Sequence, residues 1–144
     1  EQRTRGFVQA HQDLGIPFNK EKILRCGDED AQENFKIIQN ALQKGMKFDG
    51  IFAVNDIAAV GALQALQAAQ ISVPQEVAII GYSDWQFSSF ISPTLTTIRQ
   101  NGNEMGRKAA ELLLEEIHSK DTFIEPKSIT LPTEIILRGT TLNK

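Results

Sequence analysis

The chain has 144 residues, a formal net charge of −3, 41% hydrophobic and 23% charged residues, enough for one domain with a real core and ordinary for a soluble globular protein. It shows no clustering of Lys and Arg of the kind a nucleic-acid surface needs, no apolar run approaching a membrane span, and no signal peptide at its start. The single Cys26 excludes an intrachain disulfide framework and fits a reducing cytosol.

In chain order, residues 1–14 read as a helix ended by Gly15 and Pro17, with Phe7, Ala10 and Leu14 at the spacing of a buried face. A parallel α/β unit needs a strand before its helix, so an opening on a helix predicts the later part of something longer. Residues 23–26 read as a short strand, Gly27-Asp28 as a turn, and Asp30 as the start of a second helix. Phe35, Ile38 and Leu42 mark the core face of that helix, and Gly45 ends it.

The stretch from Ile51 to Gly61 and its echo from Val77 to Trp85 organise the rest. Each opens with an unbroken apolar run that stops abruptly in polar residues. Such runs predict strands buried on both faces within a parallel sheet. The polar residues Asn55, Asp56, Ser83, Asp84 and Trp85 then lie beyond the carboxyl ends of neighbouring strands, where open α/β sheets bind ligands. Asn55 or Asp56 caps a helix to about Ala69 whose inward residues are Ala59, Leu63 and Leu66. Gly81 permits a close turn, and residues 82–92 form an aromatic-rich loop with room for one helical turn. Residues 95–98 are a β-branched strand or crossover. Asn103 opens an amphipathic helix with Met105, Ala109, Leu112, Leu113 and Ile117 on one face, ended by Lys120-Asp121. Two extended runs, 128–131 and 134–137, flank Pro132. Alternating strands and helices with short loops predict an α/β fold with a mostly parallel sheet flanked by helices.

Enzyme chemistry finds no support in these residues. No phosphate loop and no His–Cys cluster with metal-ligand spacing is present. His11 and His118 fall on helices as ordinary surface or boundary residues, and Ser88 and Ser89 lack a nucleophile-elbow context. No catalytic residue, cofactor or metal is expected. A polar-ligand site fares better: hydroxyl-rich ligands need amides, carboxylates and guanidinium groups, with an aromatic platform for their C–H faces. Asn55, Asp84, Arg3 and Trp85 supply these types. Asp56 reads as a helix cap more readily than as a ligand contact, and Trp85 reads equally as a ligand platform or as a core or interface residue.

The segments Arg3-Thr-Arg-Gly-Phe7, Asp49 to Leu63, Ile71-Ser-Val-Pro-Gln-Glu-Val77 to Asp84, and Ser92-Pro-Thr-Leu-Thr-Thr-Ile-Arg-Gln100 with Met105-Gly106 together resemble the lactose/galactose-repressor family of bacterial transcription regulators. The likeness runs from Arg3 to about Thr141. It implies a periplasmic-binding-protein-like effector domain: residues 1–96 as the C-terminal lobe, 97–118 as a segment returning to the N-terminal lobe, and 119–144 as closing strands. The DNA-binding headpiece, most of the N-terminal lobe and the first strands of the C-terminal lobe are expected to be absent, as in a truncated chain. The resemblance further implies a small-molecule effector, a sugar or sugar derivative, bound by Arg3, Asn55, Asp56, Ser83, Asp84 and Trp85. It implies a cytoplasmic homodimer meeting through Ile57, Val60, Phe87 and Ile91, operator DNA bound through the absent headpiece, and no membrane partner. Ser83 departs from the family, which usually has an aspartate there that grips effector hydroxyls; Asp84 or Trp85 is expected to take over. The rival expectation is a periplasmic-type sugar-binding protein of a transport system, which shares the fold.

Overall fold

The computed structural model of the chain describes residues 2–25, 30–119 and 126–141. Cys26, the expected turn at Gly27-Asp28 and the expected helix end at Lys120-Asp121 lie outside the described residues. Strands β1 (Gly50–Phe52), β2 (Ala78–Ser83), β3 (Thr96–Gln100) and β4 (Thr133–Ile136) form one sheet in that order. The first three run parallel, with Ile51 beside Ile79 and Ile80 beside Thr96; β4 joins β3 antiparallel, with Thr97 opposite Ile136.

Helices α1 (Gln2–Asp13), α2 (Ala31–Gln43), α3 (Asp56–Ala68) and α4 (Gly102–His118) complete the described elements, with single 3-10 turns at Lys20–Lys22 and Gln86–Ser89. Helix α3 is the centre of the molecule. Its apolar residues are not confined to one stripe, the signature of a helix buried on several sides. Ala58, Ala59, Ala62, Leu63, Ala65 and Leu66 are all buried. One side packs on Val77, Ile79 and Leu95; the other meets Ile38 of α2. Leu66, Ile79 and Leu95 have no exposed surface, and burial of each contributes about 1.5–3 kcal/mol.

The opposite sheet face carries α1. Paired residues of neighbouring strands share a face, so Phe52, Ile80 and Tyr82 point one way and Ile79 and Gly81 the other. The ring of Phe7 stacks on Phe52 at 5.7 Å, and the Arg3 guanidinium lies 3.8 Å from the centre of the Tyr82 ring. Helices thus flank the sheet on both sides, as expected for an α/β layer fold.

Three expectations are corrected. Helix α1 buries no residue, and Phe7, Ala10 and Leu14 are all exposed. Ile23, Leu24 and Arg25 form no strand, because they do not pair with the outer edge of β1. That edge borders instead on a cavity of about 290 Å³ lined by Phe7, Phe18, Ile23, Leu24, Ile37 and Phe52 among others. Helix α4 is the amphipathic helix expected, and its apolar face lies open: Met105, Leu113 and Ile117 are about half exposed or more. Its own charges support it, Arg107 bridging Glu104 and Glu111 along one face. Finally, residues 128–131 form no strand, and only the run after Pro132 pairs.

Helices α2 and α3 meet closely at Gly61. A Cβ there would come within 2.7 Å of the Asn34 Cβ and press on the Ala31 carbonyl. Because the obstacle is backbone, it cannot swing aside. Gly61→Ala is expected to lower stability by about 1–3 kcal/mol, the usual cost of overpacking. Urea unfolding should show this as a lower midpoint with an unchanged slope.

Candidate functional site

At the carboxyl ends of β1 and β2 the chain turns polar, and two residues there do different work. Asn55 is the N-cap of α3: its Oδ1 accepts from the Ala58 amide at 2.8 Å. Asp56, at the first helical position, is 1% exposed. Its Oδ2 accepts from the Trp85 amide and the Ser88 hydroxyl, both at 2.8 Å, and its Oδ1 accepts from the Thr97 hydroxyl at 2.5 Å. Gly81 passes so close that any side chain there would meet Asp56 Oδ1 and Leu95. One buried carboxylate therefore joins the start of α3, the loop after β2 and the middle of β3. The N-terminus of α3 adds a favourable dipole to the same charge.

Ser83, the last residue of β2, and Asp84 just after it have positive φ, 115° and 54°. Both are non-glycine residues in a sparsely populated region, and such conformations cluster at ligand sites because surrounding contacts hold them. What holds Asp84 is a pair of arginines. Its Oδ1 accepts from Arg138 Nη2 at 2.7 Å and its Oδ2 from Arg99 Nε at 2.6 Å. Its amide also donates to Thr97 Oγ1 at 3.3 Å. Burial by itself would push the Asp84 carboxyl up. The hydrogen bonds and charges of Arg138 and Arg99 outweigh it and hold the group below its ordinary value. Both carboxylate oxygens expected to meet a ligand are thus engaged within the protein.

Arg3 reaches the crevice from the first turn of α1. Its Nη1 donates to the Val54 carbonyl at 2.5 Å, and its guanidinium rests on Tyr82, whose hydroxyl accepts from Gln100 Nε2 at 3.3 Å. Trp85 is 53% exposed and its ring meets Phe87 edge-on at 5.7 Å. The structure therefore brings Arg3, Asn55, Ser83 and Trp85 to the ends of neighbouring strands, with Asp56 and Asp84 behind them as anchors. Of the expected interface residues, Ile57 and Val60 are half-buried on α3, Phe87 is half-buried in the 3-10 turn, and Ile91 packs on the core. Phe90, one of the aromatics of the same loop, is 77% exposed. Thr97 was not singled out by sequence. Neither were Arg99 and Arg138, the partners of Asp84, nor Thr140, whose hydroxyl and backbone fasten the closing segment to Ile79 and Thr96.

A sheet flanked by helices, with a polar crevice at its carboxyl end, defines a ligand-binding α/β lobe. The model of the periplasmic binding protein-like domain family matches residues 1–141, and the chain belongs to that family. Its relatives are repressors of the lactose-repressor type. It is 34% identical over 146 residues to the HTH-type transcriptional repressor PurR of Aliivibrio fischeri (strain MJ11), a match that covers 100% of this chain and 42% of the relative. The chain therefore spans 42% of the length of that repressor. Among solved structures it resembles a putative transcriptional regulator of the LacI family from Sanguibacter keddieii, with TM-score 0.89, 28% identity, and coverage of 96% of this chain and 51% of that one. It also resembles a LacI family transcriptional regulator from Enterococcus faecium with bound ribose, with TM-score 0.79, 32% identity, and coverage of 96% and 50%. These relatives are transcription regulators rather than enzymes, and they give the transport-protein alternative no support.

Two substitutions test the anchors. In Asp56→Asn an amide N–H₂ replaces one acceptor and faces hydroxyl or amide donors, so at least one buried donor loses its partner. Denaturant unfolding should show a loss of about 2–4 kcal/mol. For Asp84 the folded-state value is depressed, so its stabilisation is complete above the ordinary aspartate value of about 3.9. It is lost as pH falls through the lower folded value. Asp84→Asn should therefore be less stable than wild type by about 1.5–3 kcal/mol at neutral pH. That gap should close in acid, as read from denaturation midpoints across pH.

Proposed function

We propose that this chain is the effector-binding part of a bacterial transcription regulator of the lactose-repressor type, sensing a small hydroxylated ligand such as a sugar or sugar derivative. The observation that carries the reading is the placement of Arg3, Asn55, Ser83 and Trp85 at the carboxyl ends of β1 and β2. Arg3 offers planar donors held against Tyr82, and Trp85 offers a half-exposed aromatic face. Asn55 acts through its cap on α3, and Asp56 and Asp84 hold the loop that carries Ser83 and Trp85.

On this reading residues 1–96 and 119–144 belong to one lobe; of residues 97–118, expected to return to a second lobe, Thr97 to Gln100 pair within this sheet as β3, and α4 is the part that would return. The exposed apolar face of α4 supports that assignment, because Met105, Leu113 and Ile117 need a partner that the described residues do not supply. The full protein would act as a cytoplasmic homodimer. Ile57, Val60, Phe87 and Ile91, with exposed Phe90, offer an apolar patch for the partner subunit. Operator DNA would be bound by a separate headpiece. Ligand closing the lobes would shift the pairing of the headpieces, so ligand and operator share one equilibrium.

The test uses the full-length regulator, with operator release followed by fluorescence anisotropy while sugars and sugar derivatives are added. Arg3→Ala and Trp85→Ala should each raise the ligand concentration needed for half-response by about 10- to 100-fold, equivalent to about 1.4–2.8 kcal/mol. Operator affinity without ligand should stay near wild type, because neither residue is expected to touch DNA. Wild-type ligand response in both variants would show that these side chains do not form the site.

A further inference from the structure

The wall that this chain gives to the crevice is rich in donors and short of free acceptors. Asp56 is buried with both oxygens engaged by three donors. Asp84 has both oxygens engaged by Arg138 and Arg99, and its side chain is 9% exposed. The Oδ1 of Asn55 is committed to the Ala58 amide. What remains at the carboxyl ends of β1 and β2 is Arg3 over the Tyr82 ring, Ser83 at the end of β2, and the half-exposed Trp85.

Arg3 is the decisive group. Among the described residues it meets no carboxylate, and only its Nη1 donates, to the Val54 carbonyl. The Tyr82 ring beneath it and the Gln100 amide on the Tyr82 hydroxyl fix the plane of the guanidinium. An oriented guanidinium with open N–H groups suits the two oxygens of a carboxylate or phosphate, which accept in parallel. A neutral polyol fits less well, since each hydroxyl hydrogen needs an acceptor, and the Asp56 and Asp84 carboxylates are buried and turned to partners within the protein. The Asp84 carboxylate is itself held by Arg99 and Arg138, and Glu134 lies 3.7 Å from Arg99.

From this inventory we infer that the effector is an anionic hydroxylated small molecule, with Arg3 gripping its carboxylate or phosphate. The inference rests on the effector-site reading above and narrows its ligand class.

The experiment is calorimetric titration of the full-length protein with matched compounds: glucose, gluconate and glucose 6-phosphate, and ribose with ribose 5-phosphate. At least one anionic compound should bind about tenfold or more tightly than its neutral parent, as expected for a charge-assisted bidentate pair. Gluconate against glucose 6-phosphate separates a carboxylate ligand from a phosphate ligand. Arg3→Gln should bring the anionic compound to within about threefold of its parent, while Arg3→Lys, which keeps the charge but not the fork, should retain part of the preference. A neutral sugar that binds as tightly as its anionic partners, or an anion preference that survives Arg3→Gln, would overturn the inference and leave the effector site standing. If no compound of either kind binds, and none releases operator, both readings fall together.

Discussion

A single buried carboxylate decides how this lobe is put together. Asp56 has almost no contact with solvent, and its three donors come from a loop amide, a loop hydroxyl and a strand hydroxyl. Burying an ionised group is costly unless its oxygens are fully hydrogen-bonded. The loop from Trp85 to Ser88 must therefore stay folded over the start of α3, and Thr97 must stay in register beside it. Gly81 is the companion constraint, since only a residue without a side chain lets β2 pass this carboxylate. Trp85 consequently owes its position to its backbone, and its ring is left to project with half its surface exposed.

The fold was legible in the sequence where an element buries itself within this chain. Ala53, Val77 and Ile79 from the apolar runs at residues 51–54 and 77–80 pack with the alanine-rich helix between them as their composition predicts, whereas β1 is an edge strand whose Ile51 and Phe52 are half-buried rather than covered on both faces. The amphipathic helices α1 and α4 are helices too, yet their apolar faces are open. Periodicity reports which face a helix is built to bury, and the partner need not lie in the same stretch of chain. Residues 23–25 fail to form a strand for a related reason: an isolated extended run has no ladder to join, and the outer edge of β1 is separated from it by a cavity. Strand β4, by contrast, pairs because Pro132 cannot donate to a ladder and so marks where the pairing run begins.

The site was legible in part. Asn55 stands where an apolar run breaks into a helix, and short polar residues at such a break are caps for a local reason. Nothing local reveals that Asp84 will be held by Arg99 and Arg138, which are 15 and 54 residues away along the chain. A carboxylate after a glycine turn looks free in sequence whether or not a distant arginine takes it. Thr97 and Thr140 were hidden for a different reason: a buried threonine hydroxyl that anchors a neighbouring segment, in a strand as at Thr97 or in a turn as at Thr140, has the same sequence signature as one that merely packs.

These two carboxylates also give the crevice its mechanical character. Asp84 sits in the positive-φ turn beside Ser83 and binds both Arg99 on β3 and Arg138 just beyond β4. Strand β3 leads directly through Gln100 into α4, and β4 returns beside it. A force applied to the turn is therefore carried to both strands by charge-assisted hydrogen bonds, which are short and directional. Asp56 fixes the other end of the same loop to α3 through Trp85 and Ser88. A ligand that touches Ser83 or Trp85 acts on a segment clamped at both ends, and displacement of that segment has to be shared with β3 and β4 rather than dissipated in the loop. An interior packed around residues as fully buried as Leu66, Ile79 and Leu95 yields little.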